Sequence, residues 1–232
     1  MIRLGITGSD TGVGKTMVAC GLASALVRRD LVVAAVKPVE TGVVFDDPRR
    51  DGARLSCAAG GVRPLADTAP LTFRAPLAPT VAAAREHREI DLPSLEERIA
   101  RAAAGADVLI VEGAGGLLVP VVGTLAFDAL FARWSLGLII VAANRLGVIN
   151  HTRLTIAAAR AANLAVRAVV LNRVASATDE SAADNAAVIA GLDHVRVVEL
   201  PWLSDPDDLV QAREAVERAG LVDIVAAAAA LT

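Results

Sequence analysis

The only two lysines of the chain, Lys15 and Lys37, both stand just beyond short apolar runs that read as β-strands. Lys15 lies in Gly8-Ser9-Asp10-Thr11-Gly12-Val13-Gly14-Lys15-Thr16, directly after Ile2–Thr7. Strand, glycine-rich loop, Gly-Lys-Thr and helix in that order make a phosphate-binding P-loop. Backbone N–H groups from Asp10 through Thr11, Gly12, Val13 and Gly14 point into one concavity, and the helix that follows adds partial positive charge. A nucleoside triphosphate fits there. Lys15 is set to bridge the outer phosphates, and Thr16 to offer its hydroxyl to Mg²⁺. The strict pattern has glycine where this chain has Ser9; Gly8 stands one residue earlier.

A divalent ion needs more oxygen ligands. Glu112 is the strongest candidate, because the apolar run Val108–Val111 ends in it and Gly113-Ala114-Gly115-Gly116 follows, a stretch whose backbone can approach a ligand closely. Asp51, in Arg49-Arg50-Asp51-Gly52, reads equally as a second ligand or as a helix cap. Lys37 follows Val32–Val36 and opens Pro38-Val39-Glu40-Thr41-Gly42. An ordinary surface lysine competes with a lysine facing the ligand crevice, and the scarcity of lysine favours the crevice. Two ammonium groups converging on a transferring phosphoryl group would stabilise its spreading negative charge. The Asn/Thr-Lys-x-Asp signature of guanine readers is missing, so adenine is the expected base. Asn172, after Ala168–Leu171, reads as a base contact or as an Asn turn. His151 reads as a local hydrogen-bonding residue near a helix start, and His87 and His194 as surface positions. No nucleophile triad stands out.

These residues need strand ends to hold them. Apolar runs at Ile2–Thr7, Val32–Val36, Val108–Val111, Leu138–Ala142, Ala168–Leu171 and Val195–Leu200 predict strands. Helical patterns predict helices over Thr16–Arg29, Ala53–Ala59, Ser94–Ala104, Leu125–Arg133, Val148–Ala162, Ser181–Ala190, Asp207–Ala219 and Val222–Ala230. The alternation predicts an α/β fold: a doubly wound, mostly parallel sheet flanked by helices, one domain over 1–232. The proline-rich stretch 43–93 reads as an excursion from the sheet. Ligands of such sheets gather beyond the carboxyl ends of the strands, where the residues above fall.

Hydrophobic residues make up 54% of the chain and aromatics only 3%, an Ala, Val and Leu excess that suits buried parallel strands under small-residue helices. The longest apolar stretches are too short to span a bilayer, and no basic-then-apolar leader precedes the P-loop, so a cytoplasmic protein without membrane association is expected. A net charge of −3 argues against a nucleic-acid surface. Cys20 and Cys57 read as buried free thiols of a reducing compartment.

The chain resembles the dethiobiotin synthetase family. The resemblance rests on Thr7–Thr16, Lys37-Pro38-Val39-Glu40-Thr41-Gly42, Val111-Glu112-Gly113-Ala114-Gly115-Gly116, Leu146-Gly147-Val148-Ile149-Asn150-His151 and Pro201-Trp202-Leu203, in the family's order. It implies a P-loop NTPase fold and an ATP- and Mg²⁺-dependent ring closure of 7,8-diaminononanoate with CO₂ or bicarbonate, through a carbamate and a carbamic–phosphoric anhydride. By the same resemblance Lys15, Lys37 and Thr41 contact phosphate or carbamate, Thr11 lines both subsites, and Thr16, Asp51 and Glu112 hold the metal. Gly115, Gly116, Leu117 and Leu118 border the diamine; Asn172, Pro201, Trp202 and Leu203 hold adenine. Leu146, Gly147 and Asn150 close the substrate site of the other subunit of a homodimer. The alternative is a ParA/MinD-like regulatory ATPase. Those carry a lysine early in the loop, where Asp10 stands here, and their membrane-targeting members end in a basic helix, whereas the end here, around Val222-Asp223-Ile224-Val225, has no basic residue.

Overall fold

The computed structural model describes residues 1–45, 47–177 and 179–229. Its first half runs β1 (Ile2–Gly8), α1 (Lys15–Val27), β2 (Val33–Val36), β3 (Val39–Thr41), α2 (Asp51–Ala58), α3 (Leu65–Thr68), β4 (Leu71–Phe73), α4 (Pro79–Arg85) and α5 (Leu92–Ala103). Then come β5 (Val108–Gly116), β6 (Pro120–Val122), β7 (Leu125–Ala126), α6 (Phe127–Arg133), β8 (Gly137–Ala143), α7 (Val148–Ala161), β9 (Val166–Asn172), α8 (Ala182–Asp193), β10 (Val197–Leu200), α9 (Leu209–Arg218) and α10 (Leu221–Ala229).

Six strands form one sheet in the order β10-β9-β8-β1-β5-β2, and every pairing in it is parallel. Successive strand residues point to opposite faces, so each strand feeds two cores. In β8, Leu138, Ile140 and Ala142 pack beneath the layer of α4 to α8, while Ile139, Val141 and Ala143 pack with α1, α2, α9 and α10. Burial on both faces explains why the strands read as unbroken apolar runs.

All six strands of this sheet were legible as apolar runs, with ends moved by a few residues. Four departures have physical causes. The predicted helix over Leu125–Arg133 begins only at Phe127, because Leu125 and Ala126 pair antiparallel with Val122 and Pro120 as a short ribbon. The predicted helix over Asp207–Ala219 begins at Leu209, because the Asp208 carboxylate accepts from the N–H groups of Val210 and Gln211 and caps it. The excursion 43–93 contains α2, α3, β4 and α4, and β4 pairs with β3 in a small parallel sheet. Cys57 is exposed; only Cys20 is buried, where burial pushes its thiol pKa well up. The predicted last helix matches α10, apart from Ala230, which lies outside the described residues.

The α1 helix is buried on nearly all sides, from Met17 to Leu26, rather than on the single face that Val18, Leu22, Ala25 and Leu26 suggest. The sheet covers one side, and α2, α9 and α10 cover the rest. Gly21 makes this possible: a Cβ there would stand 2.6 Å from the Ala212 carbonyl oxygen of α9. No helix among the described residues is long and apolar enough to cross a membrane. Gly21→Val should destabilise the protein by about 1–3 kcal/mol in urea unfolding, because backbone of α9 must move and the small gain in helix propensity cannot offset that.

Candidate active site

Parallel register sets the site. Val36 pairs with Val111, the last pair of β2 with β5, so Lys37, the first residue beyond β2, comes beside Glu112 of β5. Ile6 pairs with Glu112 on the other flank of β5, and the register then shifts so that Gly8 lies opposite Gly116. The P-loop therefore rises over Glu112. Gly8 has no room for a side chain: a Cβ would lie 2.5 Å from the Asp10 carbonyl oxygen and 3.0 Å from Lys15 Nζ. Gly12 and Gly14 adopt φ of 74° and 96°, which suits glycine, and Gly14 caps α1.

A cavity of about 550 Å³ opens at this edge. From the loop and α1 it is lined by Thr11, Gly12, Gly14, Lys15 and Thr16; from beyond β2 by Lys37, from the end of β3 by Thr41, from β5 by Glu112 and Gly115, and from α2 by Asp51. Asn172 at the end of β9, with Trp202 and Leu203 beyond β10, completes the far wall. Several predicted residues do not line it. Asp10 turns outward, and its Oδ1 accepts from the Thr11 N–H at 2.7 Å, while its carbonyl oxygen accepts from Lys15 Nζ at 3.1 Å. Val13 is buried and contributes its carbonyl to Asn172 Nδ2 at 2.9 Å. Gly116 faces the Gly8 carbonyl. Leu117 belongs to the core, Leu118 and Pro201 are exposed outside the cavity, and Leu146, Gly147 and Asn150 lie at the exposed start of α7. In one chain these last three do not reach the cavity.

The centre is an ion cluster. Lys37 Nζ donates to Asp51 Oδ2 at 2.5 Å and to Glu112 Oε1 at 2.6 Å, and Thr16 Oγ1 donates to the same Glu112 oxygen at 2.8 Å. Lys37 and Glu112 are buried. Burial pushes the Lys37 ammonium down, but the charges of Glu112 and Asp51 and their hydrogen bonds outweigh it and hold its pKa above the ordinary value. Burial pushes Asp51 up, and the Lys37 charge and hydrogen bond, with the Thr16 hydroxyl, more than reverse it, so its carboxyl sits below 3.8. Lys15 is held below its ordinary value, chiefly by burial; Glu112 pulls it back up and Lys37 pushes it further down. Asp51 opens α2 but is not its cap, which decides between the two readings of its place: its carboxylate faces the cluster.

The donor set suits a divalent ion. Glu112 Oε2 is buried and has no hydrogen-bond partner among the described residues, and it converges with the Thr16 hydroxyl and the Asp51 carboxylate. Two carboxylates and a hydroxyl are too few to cage an ion alone, which is how Mg²⁺ is usually held, with water and substrate phosphates filling its sphere. Among residues the sequence did not single out, Arg54 lines the cavity one turn after Asp51 and holds Pro206 O at 2.9 Å and Asp207 at 3.0 Å. Its spacing of three from Asp51 on one helix was the available signal.

The sign of the Asp51 shift gives a pH prediction. A depressed folded pKa contributes stability that is complete above the unfolded value and disappears as pH falls through the folded one. Urea unfolding should show the wild-type protein losing stability relative to Asp51→Asn below about pH 4; parallel curves for the two proteins would contradict this.

Comparison with known proteins bears on what such a crevice serves. A family model described as AAA domain matches residues 3–209. The ATP-dependent dethiobiotin synthetase BioD of Anaeromyxobacter dehalogenans (strain 2CP-C) is 43% identical over 214 residues, 92% of this chain and 95% of that protein. The BioD of Aquifex aeolicus (strain VF5) is 36% identical over 227 residues, 97% of each. Among solved structures, a ParA family ATPase from Chlorobium tepidum TLS superposes with a TM-score of 0.55 at 17% identity over 97% of each chain, a likeness of fold. At that level of identity along nearly its whole length, the chain belongs to the ATP-dependent dethiobiotin synthetase family.

Proposed function

We propose that the chain, acting as one synthetase domain over 1–232, is a ligase of biotin biosynthesis that closes 7,8-diaminononanoate (7,8-diaminopelargonate) with CO₂ to dethiobiotin, consuming ATP and releasing ADP and phosphate. The observation that carries this is the convergence of Lys15, Lys37, Thr16, Asp51 and Glu112 on one cavity above a P-loop. One amine of the diamine adds to CO₂ and loses a proton, giving a carbamate. A carbamate oxygen attacks the γ-phosphorus and ADP leaves. The second amine then attacks the carbonyl carbon of the mixed anhydride, phosphate departs, and the ureido ring closes. That last step is intramolecular, so holding the two ends of the diamine together supplies much of its rate.

The P-loop amides and Lys15 bind the phosphates. Lys37 stands between the β2 and β5 ends, where its ammonium can meet both carbamate and the transferring phosphoryl group, and Thr41 and Gly115 bound the same side. Mg²⁺, held by Thr16, Asp51 and Glu112, would supply charge neutralisation at the phosphates. No residue forms a covalent intermediate. Asn172, Trp202 and Leu203 are assigned to adenine; one N–H of Asn172 is committed to Val13, so the rest of its amide is left for the base. Leu146, exposed at 81%, with Gly147 and Asn150, is assigned to the substrate site of a second subunit in a homodimer. A cytoplasmic setting, without nucleic acid or membrane as partner, accords with this chemistry.

Mass detection of dethiobiotin from diamine, bicarbonate, ATP and Mg²⁺ tests the reading; diamine-independent ATP turnover with no product would favour a regulatory ATPase instead. Lys37→Ala should lower kcat by roughly 10²–10³-fold while the protein still binds nucleotide, as expected for loss of one transition-state donor. Leu146→Asp should raise the diamine KM about tenfold and leave the ATP KM unchanged, the effect of one buried apolar side chain lost from the far subunit's wall; an unchanged diamine KM removes the two-subunit assignment.

A further inference from the structure

Asp51 enters the cluster from the first turn of α2, yet that turn has no cap of its own: Arg50 is the N-cap residue and makes no side-chain cap bond. The anchor comes from β3. Glu40 is 3% exposed, and its Oε1 accepts the Gly52 N–H at 3.2 Å while its Oε2 accepts from Arg50 Nη1 at 3.2 Å. The two residues it grips flank Asp51. A buried carboxylate is costly unless it is paired and hydrogen-bonded; here burial and the nearby Asp51 charge hold the Glu40 carboxyl above its ordinary range, and the Gly52 amide and the Arg50 guanidinium offset part of that cost. The fit is tight: a Cβ on residue 52 would stand 2.4 Å from Ala69 Cβ and 3.1 Å from Glu40 Oε2, so only glycine lets amide and carboxylate approach. Glu40 does not line the cavity; it sits between Lys37 and Thr41, which do.

We propose that Glu40 is a positioning residue that clamps the first turn of α2 from both sides of Asp51 and so sets the affinity of the site for its divalent ion. The proposal rests on reading Asp51 and Glu112 as the metal's carboxylate ligands. Loss of the clamp frees the turn to rotate, and the Asp51 carboxylate no longer holds its bearing on Glu112 and Thr16. The phosphate cradle, built by the P-loop and α1, is untouched by that movement.

The test uses the full chain with Mn²⁺ as the probe, followed by electron paramagnetic resonance in the presence of a non-hydrolysable ATP analogue, beside analogue binding in metal-free buffer. Glu40→Ala should weaken Mn²⁺ binding about 10–100-fold, the usual consequence of removing the support behind a metal ligand, with metal-free analogue affinity unchanged. Glu40→Gln, which keeps an acceptor for the Gly52 N–H, should recover most of that loss. Should Glu40→Ala fail to fold, Arg50→Met strips one grip and should weaken Mn²⁺ alone by several-fold. Unchanged Mn²⁺ affinity in these variants, or an equal fall in metal-free analogue affinity, overturns the proposal. Asp51→Asn separates the two layers of inference: if it too leaves Mn²⁺ binding intact, the ligand reading is at fault, and if it weakens Mn²⁺ while Glu40→Ala does not, only the clamp is.

Discussion

One ammonium group buried between two carboxylates holds four segments of the chain in register. Lys37 follows β2, Glu112 projects from within β5, Asp51 opens α2, and Thr16 of α1 shares the Glu112 oxygen that Lys37 holds. Lys37 and Glu112 were taken out of water at a cost, and each is tolerable because the other, with the half-buried Asp51, is there. Removing one partner from such a cluster typically costs about 3–5 kcal/mol, because it strands a buried charge rather than because the contact itself is strong. The same economy of geometry serves chemistry. Groups that already face one another across the crevice need little reorganisation when a charged substrate arrives.

The sheet supplies the rigidity that this demands. Parallel strands paired in fixed register deliver their carboxyl ends to one edge, and the central position of β1 sets the P-loop between β5 and β8. The helix that begins at Lys15 is buried almost all round, clamped by the sheet below and by α2, α9 and α10 around it. Its N-terminus, which carries the phosphate-binding amides, therefore has little freedom to drift. The outer wall is built differently. Trp202 and the start of α7 lie on loops or exposed turns, where side chains can adjust to a base or to a neighbouring subunit. The α2 helix belongs to both regimes: Asp51 at its start meets the buried cluster, and Arg54 one turn on reaches the Pro206-Asp207 loop.

Much of this was readable in residue order, and the exceptions are instructive. Lys15, Thr16, Lys37 and Glu112 announce themselves because each ends or follows an apolar run, and strand ends are where an open α/β sheet collects ligands. Asp51 could not be decided between cap and cluster, since its place depends on where α2 packs. The family resemblance implies Leu117 beside the diamine, but the chain turns after Gly116 and buries it in the core. Glu40 stood out only as one residue of the Lys37–Gly42 motif and Arg54 only by its spacing from Asp51, because their meaning lies in partners 10 to 153 positions distant; Glu40 meets Arg50 and Arg54 meets Asp207. Cys57, read as buried from its helical setting, is exposed on α2.

By itself the sequence determined the six strands of the main sheet, the P-loop, the polarity of the crevice edge and the family, because these depend on local spacing and on runs of apolar side chains. Only the tertiary structure decided which charged groups share a hydrogen bond, which glycines are compelled by a neighbouring backbone, and which leucines face ligand or core. Those outcomes hang on distances of a few tenths of an ångström between segments far apart in the chain, and residue order does not encode such distances until the packed cores on both faces of the sheet have set them.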